Sequence, residues 1–153
     1  ANLSEANLED ANLEGANLTG ADLTGANLKH ANLQNTNLAA ANLAQANLKQ
    51  AKPKVDYRTN FSGANLAGVN LVGLNLEKVN LSRANLVSAN LCGTLLQSAN
   101  LSGANLSFAN LAGADLRDAN LGKANLKKAN LRGADLNGAR LFEAIMPDGT
   151  VHE

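Results

Sequence analysis

The residues of this chain that could perform chemistry are few, and they lie far apart in the sequence. His30 and His152 could bind a metal or transfer a proton, but neither stands in a metal-ligand spacing. Cys92 is the single cysteine, and no histidine or basic residue adjoins it to activate its thiol. The adjacent carboxylates Glu9 and Asp10 fall at an exposed corner rather than in a cleft. We therefore predict no enzyme, no catalytic site, no metal site and no cofactor.

The elements that must position any site are units of five residues. The unit Ala-Asn-Leu-x-x occurs ten times over 1–50 and resumes over 59–143. Leucine occupies 26 of the 27 centres, and Phe61 fills the other one. Alanine stands two residues before 21 of the centres, and asparagine directly precedes 22 of them. Such regularity predicts one structural unit copied many times.

A period of five suits neither a helix nor a continuous strand. On a helix, each fifth residue drifts by about 140° around the axis, so the leucines form no stripe. On a strand, faces alternate with period two, so successive leucines point to opposite sides. Only a chain that turns once per unit keeps every leucine inside. Glycine at the last position of eleven units, where a left-handed conformation costs least, places the corner there.

These units resemble the pentapeptide repeat family over nearly the whole chain, and the C-terminal segment AIMPDGTVHE is similar to cyanobacterial members. The resemblance implies an all-β fold, a right-handed quadrilateral parallel β-helix in which four repeats form one coil. At a spacing of about 4.8 Å, roughly seven coils make a rod of about 30–35 Å. The residues predicted to form the structural core include Leu3, Leu23, Leu43, Phe61, Leu66, Leu86, Leu106 and Leu126.

The leucine positions should dominate stability, because each buried leucine contributes about 1.5–3 kcal/mol. Leu86→Asp is expected to unfold the coils around it. Ser107→Asp is expected to be nearly silent, since Ser107 should face solvent.

The chain reads as a single domain with one interruption. The repeats of 1–50 and 59–143 flank a loop at 51–58, and residues 144–153 form a C-terminal cap in which Ile145, Met146 and Val151 fold over the last coil. Pro53 cannot donate a ladder hydrogen bond, so the loop is counted as one face with three extra residues. It is either a tolerated insertion or a partner-contact loop. Its candidate contact residues are Lys52, Lys54, Tyr57 and Arg58.

A second candidate surface is apolar. Counting repeats in fours aligns Val87 with Ala44 and Ala67 on one face, and aligns Val72 with Cys92 on the next face. The candidate contact residues of this strip are Val72, Val87, Cys92 and Phe108. Scattered apolar residues on a surface are normal, whereas a contiguous patch would indicate a protein-binding face.

The charge balance bears on function. Lysine and arginine number 13, and aspartate and glutamate also number 13, so the net charge is formally zero. The charged side chains of the segment 1–25 are all acidic, which predicts either a solvated end or an acidic docking surface. Some members of the family imitate B-form DNA to protect DNA gyrase, but zero net charge conflicts with imitation of a polyanion. Nucleic-acid binding is not expected, because a basic excess and stacking aromatics are missing.

We therefore favour a non-enzymatic scaffold or interaction module whose partner is another protein. The alternatives are a DNA-mimic inhibitor or protector of a topoisomerase such as gyrase, and a regulatory protein like the heterocyst-related member of the family. The uncapped first coil, with strand edges and leucines exposed, predicts either further residues upstream or an end that docks on another molecule, for which end-to-end homo-association is one form. No membrane contact is expected. The cytoplasm is favoured as the location, a removed upstream targeting segment being the alternative.

Overall fold

The computed structural model describes residues 1–51 and 59–153. Over these residues it contains no helix and no strand longer than one residue. Instead, the Asn position of each repeat forms a parallel β-bridge with the equivalent position of a later repeat. The loop predicted at 51–58 lies outside the described residues apart from Ala51, and so do Lys52, Lys54, Tyr57 and Arg58.

The bridges arrange the repeats on four faces. Face 1 begins with Asn2, face 2 with Asn7, face 3 with Asn12 and face 4 with Asn17, each pairing with the residue 20 positions later. After the undescribed segment, the offset becomes 23, so that Asn42 pairs with Asn65. Later positions return to an offset of 20. Four repeats thus complete one coil, and the order of the faces is the same before and after 52–58.

A tight turn links each face to the next. The amide of the alanine that opens a repeat donates to the carbonyl of the preceding leucine, as from Ala84 to Leu81 at 3.1 Å. The residue before that alanine has a positive φ, the conformation that type II turns require at their third position. Eleven repeat glycines take it, as the sequence predicts, but sixteen non-glycine residues do so too, among them Arg83 and Phe108.

The interior consists of leucine and alanine columns. Leu23, Leu43, Leu66, Leu86, Leu106 and Leu126 are fully buried, and Phe61 is buried beside them. Leu3 differs from the prediction because it is only partly buried, having a packed coil on one side alone. The bulkier inward residues Val69, Leu74 and Val79 are also buried. These columns leave the outer surface as the place where ligands or partners could bind.

Threonine replaces the inward alanine at three buried positions without leaving its hydroxyl unpaired. The hydroxyls of Thr36, Thr59 and Thr94 donate to the carbonyls of Leu13, Leu33 and Leu71 in the preceding coil, at 2.8–2.9 Å. Each bond removes the cost of burying a polar group in a leucine-lined interior.

The asparagines form ladders along the faces. The sequence predicts that these residues face outward, but it does not predict the ladders. The side-chain amide of Asn85 donates to Oδ1 of Asn65 at 3.0 Å, and Asn65 donates in turn to Asn42 at 3.0 Å. Oδ1 of Asn65 also accepts the backbone amide of Ala67 at 3.3 Å. The residue therefore joins neighbouring coils and closes its own turn.

The C-terminal segment forms a hairpin at the end of face 1. Ile145 pairs in parallel with Asn125 and in antiparallel with Val151, and the amide of Met146 donates to the carbonyl of Thr150 at 2.7 Å. Met146 packs against the core. Val151 is 59% exposed, contrary to its predicted place over the last coil, because it is the last rung of the ladder. Within the described ranges, no helix is long and apolar enough to cross a membrane.

Candidate interaction surfaces

The four residues of the predicted apolar strip, Val72, Val87, Cys92 and Phe108, occupy two adjoining faces. Val72 and Cys92 stack on face 2, where the amide of Gly73 donates to the carbonyl of Cys92 at 3.0 Å. Val87 lies on face 1, and Phe108 stands at the corner between faces 1 and 2, one coil further along.

The strip is substantially exposed. Phe108 is 56% exposed and Val72 is 47% exposed, while Val87 and Cys92 are half-buried. The ammonium of Lys128 lies 5.2 Å from the centre of the Phe108 ring, within the range of a cation–π contact. Aromatic side chains are enriched in protein interfaces, so the exposed ring of Phe108 is the candidate anchor of this strip.

A charged cluster lies at the corner between faces 2 and 3 in the first coils. Asp10 and His30 stack there, with Nδ1 of His30 3.4 Å from Oδ1 of Asp10, and Nε2 of His30 2.6 Å from Oε1 of Gln50. On face 2, Lys29 pairs with Glu9 at 2.8 Å. That hydrogen bond from Lys29 is the main reason why the pKa of Glu9 lies below its usual value.

Glu9, Asp10 and His30 are also the residues that could hold a cation, because one ligand atom of each lies within 4.8 Å of the others. The sequence showed no metal pattern, since one complete coil separates His30 from Asp10. The one sequence feature that could have brought them together is that Asp10 and His30 occupy the same position in two repeats that are four repeats apart. Both carboxylate oxygens of Glu9 already accept a hydrogen bond, Oε1 from Lys29 at 2.8 Å and Oε2 from Asn27 at 3.1 Å.

A groove on face 4 was not predicted at all. It encloses about 430 Å³ and is lined by polar residues of three successive coils, Ser62, Ser82, Ser102, Asn80, Asn100 and Arg83. The three serines hold the same position in successive coils and therefore stack in register. We call this feature the serine groove.

The last coils carry mixed charge on face 3 and its corners. Arg117 forms two hydrogen bonds with Asp115, at 2.9 and 2.7 Å, and lies 3.7 Å from Asp135. The hydrogen bond from Arg117 holds the pKa of Asp115 below its usual range. At the corner after face 4, Lys123 pairs with Glu143 at 3.3 Å. Opposite charges thus alternate within single columns instead of forming a field of one sign.

A four-faced solenoid with a filled interior and chemically distinct outer faces is a member of the class of solenoid repeat proteins. The family model for pentapeptide repeats matches residues 1–38, 31–52, 59–97, 99–138 and 109–146. The chain belongs to the pentapeptide repeat family, and it shares the right-handed β-helix of that family's solved members.

The chain is similar to several solved structures, and the first two below, with TM-scores above 0.5, show the same fold. HetL, a pentapeptide repeat protein involved in heterocyst differentiation regulation from the cyanobacterium Nostoc sp. strain PCC 7120, is 37% identical, with 99% of this chain and 78% of that chain covered and a TM-score of 0.52. Trypsin-treated QnrB1, a plasmid-mediated fluoroquinolone resistance protein, is 18% identical over 92% of this chain and 83% of that chain, with a TM-score of 0.58. The pentapeptide repeat protein alr5209 from Nostoc PCC 7120 is 45% identical over 55% of this chain and 64% of that chain, with a TM-score of 0.31.

No curated protein matches the chain significantly. The family and structural matches indicate no enzyme family.

Proposed function

We propose that this chain is a non-enzymatic interaction module that binds another protein through the apolar strip. The observation that carries the proposal is the exposure of Phe108 and Val72 on adjoining faces; the other exposed large apolar side chains among the described residues are Leu95, Phe142 and Val151. Phe108 also holds a left-handed backbone conformation, with a φ of 60°. Glycine would adopt that conformation at lower cost, so an exposed phenylalanine there supports a role in contact.

The similarity to HetL extends this proposal to a regulatory role. At 37% identity over 99% of this chain, the relationship covers every face of the solenoid. We infer that the chain acts by holding a partner protein on a rigid rod, in the way a regulator without catalytic residues must act. The rod itself is proposed to have seven coils, matching the seven bridged positions of face 2, namely Asn7, Asn27, Asn47, Asn70, Asn90, Asn110 and Asn130.

Quantitative affinity capture from a lysate of the source organism tests the interaction. The immobilised chain is compared with a triple variant, Val72→Ser, Val87→Ser and Phe108→Ser, and with a control that changes Thr19, Gln34 and Gln97, on faces 3 and 4, to alanine. Proteins lost from the strip variant but retained by the control are candidate partners. Identical captured sets for all three proteins would overturn the role of the strip. Sedimentation velocity on the same samples separates binding to a partner from the predicted end-to-end association.

A second function, inhibition of a topoisomerase by imitation of DNA, has one observation in its favour. The segment 1–25 contains only acidic charges, on Glu5, Glu9, Asp10, Glu14 and Asp22. One observation argues against this second function, because Lys29 already neutralises Glu9, one of these acidic residues. A gyrase supercoiling assay decides the matter when the chain is titrated at low and physiological salt. Stoichiometric, salt-sensitive inhibition would favour the second function over the first, and no effect at large excess would remove it for gyrase.

A further inference from the structure

The serine groove presents hydrogen-bond donors that have no partner. Among the described residues, none accepts a hydrogen bond from the hydroxyls of Ser62 and Ser82, from the side-chain amide of Asn100 or from the guanidinium of Arg83. These groups belong to three neighbouring coils, and all of them line the same space. A ligand that satisfies Arg83 and the side-chain amide of Asn100 must therefore supply acceptors, and the serine hydroxyls can donate to it or accept from it.

The amide oxygens of the groove already accept hydrogen bonds from the protein, whereas the hydroxyls of Ser62 and Ser82 can both donate and accept. Oδ1 of Asn80 accepts the backbone amide of Ser82 at 3.1 Å. Oδ1 of Asn100 accepts both the amide and the hydroxyl of Ser102, at 3.1 and 2.8 Å. No carboxylate lines the groove, so nothing in its walls neutralises Arg83. A donor-rich site with an uncompensated guanidinium attracts an oxyanion.

The size and lining of the groove narrow the class of ligand. Its volume of about 430 Å³ lies within the range of small-molecule sites and exceeds what a single phosphate fills. The walls contain no aromatic ring on which a nucleobase could stack. Hydroxyls and an amide in register along the rod suit a body that carries several hydroxyl groups.

We propose that the serine groove binds the phosphate ester of a small sugar or polyol. Arg83 binds the phosphate as a bidentate ligand, and the hydroxyls of Ser62 and Ser82 with the amide of Asn100 contact the hydroxyl-bearing body. This site lies on face 4 and its corner with face 1, whereas the apolar strip lies on faces 1 and 2, and it does not depend on the proposed protein partner.

Isothermal titration with glucose 6-phosphate and glycerol 3-phosphate tests the proposal, with amide NMR shifts of Ser82 and Arg83 locating the site. Inorganic phosphate and unphosphorylated glucose serve as comparison ligands. We expect saturable binding of the phosphate esters that exceeds the binding of either comparison ligand. Equal binding of inorganic phosphate would overturn the contacts to the body, equal binding of glucose would overturn the role of Arg83, and a lack of saturation would overturn the site.

Two variants and a control assign the binding to the groove. Arg83→Gln should weaken binding about tenfold or more, the loss expected for a charge-assisted hydrogen bond. Gly63→Asp should do the same with Arg83 retained, because residue 63 lies one coil from Arg83 in the same corner column and would introduce a competing carboxylate. Arg132→Gln removes an exposed arginine from face 2 and should leave binding unchanged. Unchanged affinity in both groove variants, or tighter binding of a phosphoserine peptide than of the sugar phosphate, would contradict the proposal.

Discussion

At the scale of single residues, the inward leucine is the main source of stability. Leu86 is fully buried between Leu66 and Leu106 in a column where the backbone amide of each leucine is also bonded to the next coil. The interior contains no second layer that could move into a vacated space. A shortened side chain should therefore leave most of its volume empty.

Leu86→Ala is expected to lower the free energy of unfolding by about 2–5 kcal/mol, as large-to-small substitutions in rigid cores do. Ser107→Ala, which changes the half-buried outer position of the next coil, should stay within about 0.5 kcal/mol of the parent protein. Urea denaturation followed by circular dichroism measures both. Similar losses for the two variants would refute the division into inner and outer positions.

The corner residues store backbone strain that can be measured separately from packing. Gly68 has a φ of 66°, and a Cβ added there would meet no atom within 4 Å. Gly68→Ala should therefore destabilise the protein by about 1 kcal/mol through its backbone alone. Ala40, exposed at a φ of 54°, offers the reverse change. Ala40→Gly should be neutral or stabilising by thermal unfolding, and a clear loss of stability would mean that the corners are not strained.

The ion pair between Arg117 and Asp115 should make the stability of the protein depend on pH. Because the hydrogen bond from Arg117 lowers the pKa of Asp115 in the folded protein, folding favours the ionised carboxylate. This contribution is complete above the ordinary pKa of 3.8 and is lost as the pH falls through the lower folded value. Asp115→Asn should flatten the decline of the melting temperature below about pH 4. Glu5→Gln is the control, and an unchanged slope in Asp115→Asn would count against the ion pair.

At the scale of the repeat element, the asparagine unites two functions in one side chain. Its Oδ1 closes the local turn, and where a ladder forms, its amide also joins two coils. The aspartates show that the turn can form without the ladder. Oδ1 of Asp22 accepts a hydrogen bond from the backbone amide of Thr24 at 3.0 Å, although an aspartate has no side-chain amide to donate to the next coil. Asparagine ladders thus stabilise the stack beyond the backbone bridges.

A comparison of Asn65 with Asn70 measures how much the ladder stabilises the protein. Asn65 makes three side-chain hydrogen bonds, whereas Asn70, among the described residues, makes only the turn bond with the amide of Val72 at 3.1 Å. Asn65→Ala should lose about 1–3 kcal/mol more stability than Asn70→Ala, because two more hydrogen bonds are lost at about 0.5–1.5 kcal/mol each. Chemical denaturation of the two variants gives the difference. Equal losses would show that the ladder adds nothing to the turn.

The repeat explains which features could be read from the sequence. A period of five identifies the inward leucines and the turn, because both follow from geometry within one unit. The Asn ladder, the stacking of His30 on Asp10 and the serine groove join residues a whole coil apart, so they appear only once the coils are in register. The corners illustrate a related limit: glycine marks a left-handed residue by its type, whereas Arg83 takes that conformation because it occupies the third position of the turn from Leu81 to Ala84.

At the scale of the whole molecule, the charges balance in total, and several opposite charges are also paired on the surface. Lys29 pairs with Glu9, Arg117 with Asp115 and Lys123 with Glu143. Such pairs weaken the long-range field that would steer a distant nucleic acid or imitate one, and the segment 1–25 is a stretch where charges of one sign predominate. Specificity must then come from short-range features, which supports the apolar strip and the serine groove as the places where binding occurs.

The stacked architecture also predicts how the molecule opens. Each coil contacts only its neighbours, so a terminal coil loses fewer contacts on opening than a central one. The amides of Leu3, Leu86 and Leu126 all lie on face 1 and all make backbone hydrogen bonds of 2.7 Å to the next position of the ladder. The three leucine amides therefore have the same residue type and the same hydrogen-bond length, and they differ in which coil of the stack they belong to.

Hydrogen exchange followed by NMR should find Leu86 protected at least about 100-fold more than Leu3, with Leu126 between them because the terminal hairpin covers part of face 1. Leu86→Ala should then accelerate exchange at Leu66 and Leu106 more than at Leu3, since the weakened coil is their direct neighbour. Equal protection at all three leucines would mean that the rod unfolds as one cooperative unit, with coupling between coils strong enough to hide the cost of each one.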